Sequence, residues 1–140
     1  MKQSISSSKI QEIPPLIHFI WLGGKMPELY LKNILNIARV ASNSNPQFEV
    51  ILWTDNESLM QKQILLSDHG DHHLKYVKIQ NALDVFGDFE KLSLDKGRYN
   101  VNLFKRYFDL ERLGSLANYA AASDILRYLI LYLHGGNYLD

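Results

Sequence analysis

Apolar and polar positions alternate along the chain in two rhythms. Leu16-Ile-His-Phe-Ile-Trp21-Leu22 is a continuous apolar run bounded by Gly23-Gly24, the pattern of a parallel strand covered on both faces. Ile13-Pro14-Pro15 before it exclude helix and set an extended entry. Pro27-Glu28 suit a helical first turn, and Leu31, Ile34, Leu35, Ala38 and Ala41 then recur at helical spacing. Asn43 to Gln47 with Pro46 is a turn, and Phe48-Glu-Val-Ile-Leu-Trp53 a second strand closed by Thr54-Asp55. Glu57 to Leu66 predicts a short helix capped by Asp55 or Asn56, and Leu74 to Ile79 a third strand. Helical spacing returns in Ala82 to Leu92 and Val101 to Leu113. Strand, helix, strand makes a right-handed parallel unit the default. The expected fold class is α/β, an open, mostly parallel sheet with flanking helices.

The stretch Asn118 to Leu133 is nearly all apolar, rich in Ala and Leu, and free of Gly and Pro. It predicts a helix apolar on every side and therefore buried. Asp124 and Arg127 stand three positions apart on one face of it. Because charges are rarely buried unpaired, that face should look into a cleft or onto a partner charge. Gly135-Gly136 ends the helix through the left-handed cap conformation, and Tyr138-Leu139-Asp140 begin a strand that delivers a carboxylate.

Composition narrows the function classes. The 140 residues suit one domain, read as 13–140 behind a Ser- and Gln-rich tail, 1–12, that is expected to be disordered. That tail lacks the apolar core of a signal peptide or anchor. Fifteen Lys and Arg balance fifteen Asp and Glu, so nothing points to a nucleic-acid or membrane-surface partner. Without cysteine there is neither a disulfide framework nor a thiolate metal site. Ile125 to Leu133 is too short to span a bilayer and contains Arg127. Cytoplasmic residence, or export by a signal-independent route, is the expected localisation. His69-Gly-Asp71-His72-His73 matches no helix-based ligand pair and reads as a solvated loop. His18, inside an apolar strand, reads as a core histidine with a hydrogen-bonded ring. Gly23-Gly24 lacks the Gly-x-Gly-x-x-Gly fingerprint, against a dinucleotide site.

Three places carry candidate chemistry. Trp21 closes the first strand just before two glycines, at the strand end where open α/β sheets gather ligands; on residues alone it is a core tryptophan or a ligand wall. Asp124 and Arg127 form a helical salt bridge or a polar face toward a ligand. Tyr138 and Asp140 lie where the last strand starts, and Asn118 and Ser123 are capping or supporting groups.

The pattern Asn118-x-Ala-Ala-Ala-Ser123-Asp124-Ile-Leu-Arg127, followed by Gly135-Gly136-x-Tyr138-Leu139-Asp140, resembles the sugar-nucleotide-binding region of glycosyltransferases with the Asp-x-Asp motif. It is most similar to the group of the large clostridial glucosylating toxins and related bacterial effectors, which share the Phe-x-Trp-x-Gly-Gly segment around Trp21. The likeness covers two blocks, Ile13 to Asp55 and Asn118 to Asp140. It implies the nucleotide-binding, N-terminal half of a GT-A domain and hexosyl transfer, with retention, from a nucleotide-diphosphate sugar such as a UDP-sugar to an acceptor hydroxyl on a protein or glycan.

The resemblance also implies roles. Trp21 would stack on the uracil, Asp124 would hold ribose and sugar hydroxyls, and Arg127 would reach the donor sugar and phosphate. Asp140 fits the first Asp of the motif; the second, which would ligate Mn²⁺ or Mg²⁺, falls past the last residue. The expectation is therefore a donor-binding piece with an incomplete metal site, inactive alone, its Tyr138 edge unpaired and Leu126, Leu129 and Leu133 partly uncovered. Two alternatives stand beside it. Capsule-building and mannosyl transferases share the Trp-x-Gly-Gly and Gly-Gly-x-Tyr-Leu-Asp blocks, and a catalytically dead nucleotide-sugar-binding module would keep the donor residues.

Overall fold

Four strands pair in one parallel sheet in the order β3-β2-β1-β4. A computed structural model describes residues 13–67, 73–96, 101–113 and 117–139. In chain order the elements are β1 (Leu16–Trp21), α1 (Glu28–Ser42), β2 (Glu49–Thr54), α2 (Glu57–Leu65), β3 (Val77–Asn81), α3 (Asp84–Lys96), α4 (Val101–Leu113), α5 (Tyr119–His134) and β4 (Asn137–Tyr138). This is the α/β architecture expected from the alternating pattern.

Each face of the sheet has its own core. On one side Phe19, Val50 and Leu52 meet Leu31, Ile34, Leu35 and Ala38 of α1 and Met60 and Ile64 of α2. On the other, Ile20, Ile51 and Trp53 meet Val85, Phe86 and Phe89 of α3, Phe108 of α4, and Ala122, Leu126, Leu129 and Ile130 of α5. β1 and β2 are covered on both sides, which is why their apolar runs are continuous rather than alternating.

The third strand starts later than its sequence suggests. Tyr76 donates its amide to the His73 carbonyl in a turn, and pairing with β2 runs from Val50↔Val77 to Thr54↔Asn81. Register against β2, not local propensity, sets those ends; Leu74 and Tyr76 pack against the α1–α2 core instead. At α2 the choice of cap resolves to Asn56, whose side chain accepts from the Leu59 amide at 3.1 Å.

The expectation of an all-round buried α5 is corrected. Ala122, Leu126, Leu129 and Ile130 are buried, but Asp124, Tyr128 and Tyr132 lie on the outer side. Tyrosine is apolar in body yet carries a hydroxyl suited to water, so the helix is amphipathic where a count of apolar residues makes it uniform. Leu126 and Leu129 are covered by the α3 and α4 side chains rather than left open, and Leu133 packs against that core. The 1–12 tail, residues 69–72 of the histidine-rich stretch, and Asp140 lie outside the described residues. Among the described residues, no helix is long and apolar enough to cross a membrane.

Candidate functional site

The strand order places a topological switch between β1 and β4: from β1 the chain passes to β2 and β3 on one side and returns to β4 on the other. At such a switch the loops leaving the strand ends diverge and open a crevice. A cavity of about 460 Å³ lies there. Its walls are the β1 end (Trp21 to Gly23), Tyr30 of α1, the first turns of α5 (Tyr119, Ser123, Asp124, Arg127) and Tyr138 of β4.

Five of the seven residues singled out in the sequence therefore share one cavity: Trp21, Ser123, Asp124, Arg127 and Tyr138. Asn118 is placed just outside it, as the N-cap of α5, where its side chain accepts from the Ala121 amide at 3.0 Å. Asp140, the remaining one, falls outside the described residues.

Trp21 is both a packing residue and a wall of the cavity. It packs on the α1–α2 core beside Tyr30, ring centroids 5.7 Å apart, and it also walls the cavity. Its indole N–H donates to the Gly24 carbonyl at 2.9 Å, so the ring is tied to the loop that follows it. Gly23 has φ of +94°, and a Cβ there would sit 2.5 Å from the Tyr119 ring. The positive φ favours glycine here, and an aromatic ring of α5 rests against its backbone.

Asp124 and Arg127 do touch, at 3.4 Å. The salt-bridge alternative is thus realised in geometry, although Asp124 is 61% exposed, a setting in which an ion pair contributes little. The guanidinium of Arg127 lies over the Tyr128 ring at 5.2 Å and the Tyr138 ring at 5.4 Å. The Tyr128 side chain, and then the nearby Asp124 carboxylate, hold its pKa above the ordinary arginine value. A permanently charged fork braced by two aromatic rings can grip an anion with little loss of side-chain freedom.

Three groups escaped the sequence reading. Tyr30 and Tyr119 line the cavity but look like ordinary helix residues until the sheet brings their helices together. Asp55, one of the two cap candidates for α2, instead accepts from the Gly23 amide at 3.4 Å and from Arg112 of α4 at 3.3 Å. With side chains only 12% and 17% exposed, that pair ties the glycine loop to a distant helix. Its only local hint is a charged residue on the inner side of α4.

His18 is the core histidine its setting implied, at 0% exposure. Its Nδ1 accepts from the Trp53 indole at 3.0 Å, so its Nε2 carries the proton and donates to the Gly135 carbonyl at 2.8 Å. Burial, the dominant influence, pushes its pKa down; the Gly135 bond opposes and His134 adds to the lowering.

The open parallel sheet, with a crevice at its switch point walled by an aromatic ring, an Asp and an Arg, has a GT-A-like architecture. The glycosyltransferase sugar-binding region containing the DXD motif is matched over residues 32–140, and the chain belongs to that family. It is 31% identical over 131 residues to the Subversion of eukaryotic traffic protein A of Legionella pneumophila subsp. pneumophila, covering 92% of this chain and 17% of that protein. Among solved structures it is similar to the PaToxG glycosyltransferase, with a TM-score of 0.57 at 24% identity, over 91% of this chain and 42% of that one. The chain thus spans less than half the length of either.

Proposed function

We propose that the cavity between β1, α5 and β4 binds a nucleotide-diphosphate sugar, a UDP-sugar, whose hexose is transferred to an acceptor hydroxyl. The observation that carries this is convergence: residues from three separate stretches, Trp21, Ser123–Arg127 and Tyr138, wall one cavity at the switch point. A flat indole offers a stacking face to a base. The Asp124 carboxylate accepts from sugar or ribose hydroxyls, and the Arg127 fork suits phosphate oxygens.

A Mn²⁺ or Mg²⁺ ion on the diphosphate belongs to the intact Asp-x-Asp pair, where it would neutralise the departing nucleoside diphosphate. Among the described residues no group of three or more His, Asp or Glu is placed to hold a metal, and Asp124 is the carboxylate that lines the cavity. By themselves these described residues do not make up a metal site. The family, together with a Legionella relative named for subverting eukaryotic traffic, supports placing the activity in an effector, with the acceptor a component of the host.

Titration of UDP against the wild-type chain and Trp21→Ala tests the donor site. The substitution should weaken binding by roughly 1–3 kcal/mol, the worth of one base–aromatic stack. Equal affinities would show that Trp21 is only a core residue.

A further inference from the structure

We infer that His18 is a positioning residue for the donor site: its ring sets the course of the turn that carries Tyr138, and through Tyr138 it sets Arg127. The inference rests on the donor reading of the cavity above.

His18 grips both ends of one turn. Its ring Nε2–H donates to the Gly135 carbonyl at 2.8 Å, where α5 ends. Its main-chain carbonyl accepts from the Leu139 amide at 3.0 Å, just past β4. Between these points Tyr138 pairs directly with His18 across the sheet. The Tyr138 ring lies under the Arg127 guanidinium and walls the cavity. A shift of the Gly135 carbonyl would therefore carry Tyr138 and its cation with it.

The turn has little freedom of its own. Gly136 has φ of +89°, and a Cβ there would fall 2.8 Å from the Leu16 carbonyl and 3.3 Å from His18 Nε2. The backbone passes against the imidazole too closely for any side chain to intervene. The ring in turn cannot rotate or exchange its tautomer, because Trp53 Nε1–H donates to Nδ1. An imidazole held by a donor on one side and an acceptor on the other acts as a rigid spacer between β2 and the α5–β4 turn. An aliphatic side chain would fill the same core but would leave the Trp53 indole N–H and the Gly135 carbonyl without this bridge.

Two near-isosteric amides separate the roles. In His18→Asn the side-chain oxygen takes the place of Nδ1 and keeps the Trp53 bond, but nothing reaches Gly135. In His18→Gln the amide NH₂ takes the place of Nε2 and keeps the Gly135 bond while losing Trp53. Both variants should melt below the wild type. UDP affinity, corrected for the folded fraction, should fall about tenfold in His18→Asn, the effect of one lost buried hydrogen bond, and stay within about threefold of wild type in His18→Gln. Amide hydrogen exchange at Leu139 should accelerate in the Asn variant and be spared in the Gln variant. Equal UDP affinity and equal Leu139 exchange in the two variants would reduce His18 to a core residue and overturn the inference. A wild-type chain that does not bind UDP would sink the donor reading instead, and Leu139 exchange alone would then decide whether His18 holds the turn.

Discussion

The two faces of the sheet are built from different kinds of contact. Toward α1 and α2 the buried side chains are mostly aliphatic, with Trp21 and Tyr30 packed against them: Leu31, Ile34, Leu35, Met60 and Ile64 close over Phe19, Val50 and Leu52. Toward α3, α4 and α5 the apolar core is interleaved with directional groups. His18 bridges Trp53 and Gly135, the His134 ring lies 5.4 Å from that of Trp53, and Asp55 joins Gly23 to Arg112. Apolar burial is non-directional and stabilises without dictating where one atom sits. Hydrogen bonds and ion pairs add less net stability but specify position, because leaving one unmade is costly. The face that must deliver Tyr138, Asp124 and Arg127 to a common cavity is the one with the polar interior.

Removing a buried aliphatic side chain tests this division with the largest expected effect. Ile34→Ala, at a position 1% exposed, should lower unfolding free energy by about 2–5 kcal/mol. UDP affinity per folded molecule should not change; a parallel loss would erase the distinction between the faces. Gly136→Ala adds one methyl group on the other side. The positive φ alone costs roughly 1–3 kcal/mol for a residue with a Cβ, and contact with the Leu16 carbonyl adds to it. Here stability in urea and UDP affinity should fall together, because β4 is displaced.

Asp124→Asn should do the reverse of Ile34→Ala. The carboxylate is 61% exposed, so its pairing with Arg127 is worth at most about 1 kcal/mol, and the melting temperature should stay near wild type. UDP-sugar binding should drop severely, and so should turnover in a chain extended through a complete Asp-x-Asp motif. A marked loss of stability with unchanged activity per folded molecule would make the pair structural.

The smallest effect is the pH response of the polar face. His18 titrates below its ordinary value of 6.5 because it is buried. The unfolded chain takes up a proton as pH falls through that value while the folded chain resists it. The contribution of neutral His18 is therefore full above pH 6.5 and is lost as pH falls toward the folded pKa. Denaturation midpoints at about pH 7.5 and about pH 5.5 should differ more for wild type than for His18→Gln. Equal differences would show that other groups carry the acid sensitivity.

Most of the fold was legible because it rests on local periodicity. The continuous run at β1, the spaced leucines and isoleucines of α1, and the glycine pair after α5 each mark their element within a few residues. The third strand was misplaced because its start depends on pairing with Val50, which Leu74-Lys-Tyr76 cannot report. α5 departs from its pattern because a tyrosine counts as apolar while Tyr128 is exposed and Tyr132 half-exposed.

The candidate site divides the same way. Trp21, Ser123, Asp124, Arg127 and Tyr138 were visible in the sequence because each sits in a short motif whose residue types carry recognisable chemistry. Tyr30, Tyr119 and the Asp55–Arg112 tie were not, since each matters only through a neighbour brought from elsewhere in the chain. The sequence by itself determined the alternating elements, the glycine-marked turns and the identity of the polar groups, all consequences of local sterics and hydrophobic spacing. Tertiary structure alone decided that β4 lies beside β1, that the Tyr119 ring rests on Gly23, and that the His18 ring spans from Trp53 to Gly135. Those contacts join residues far apart in the chain, and no periodicity along it encodes which distant partner a side chain will meet.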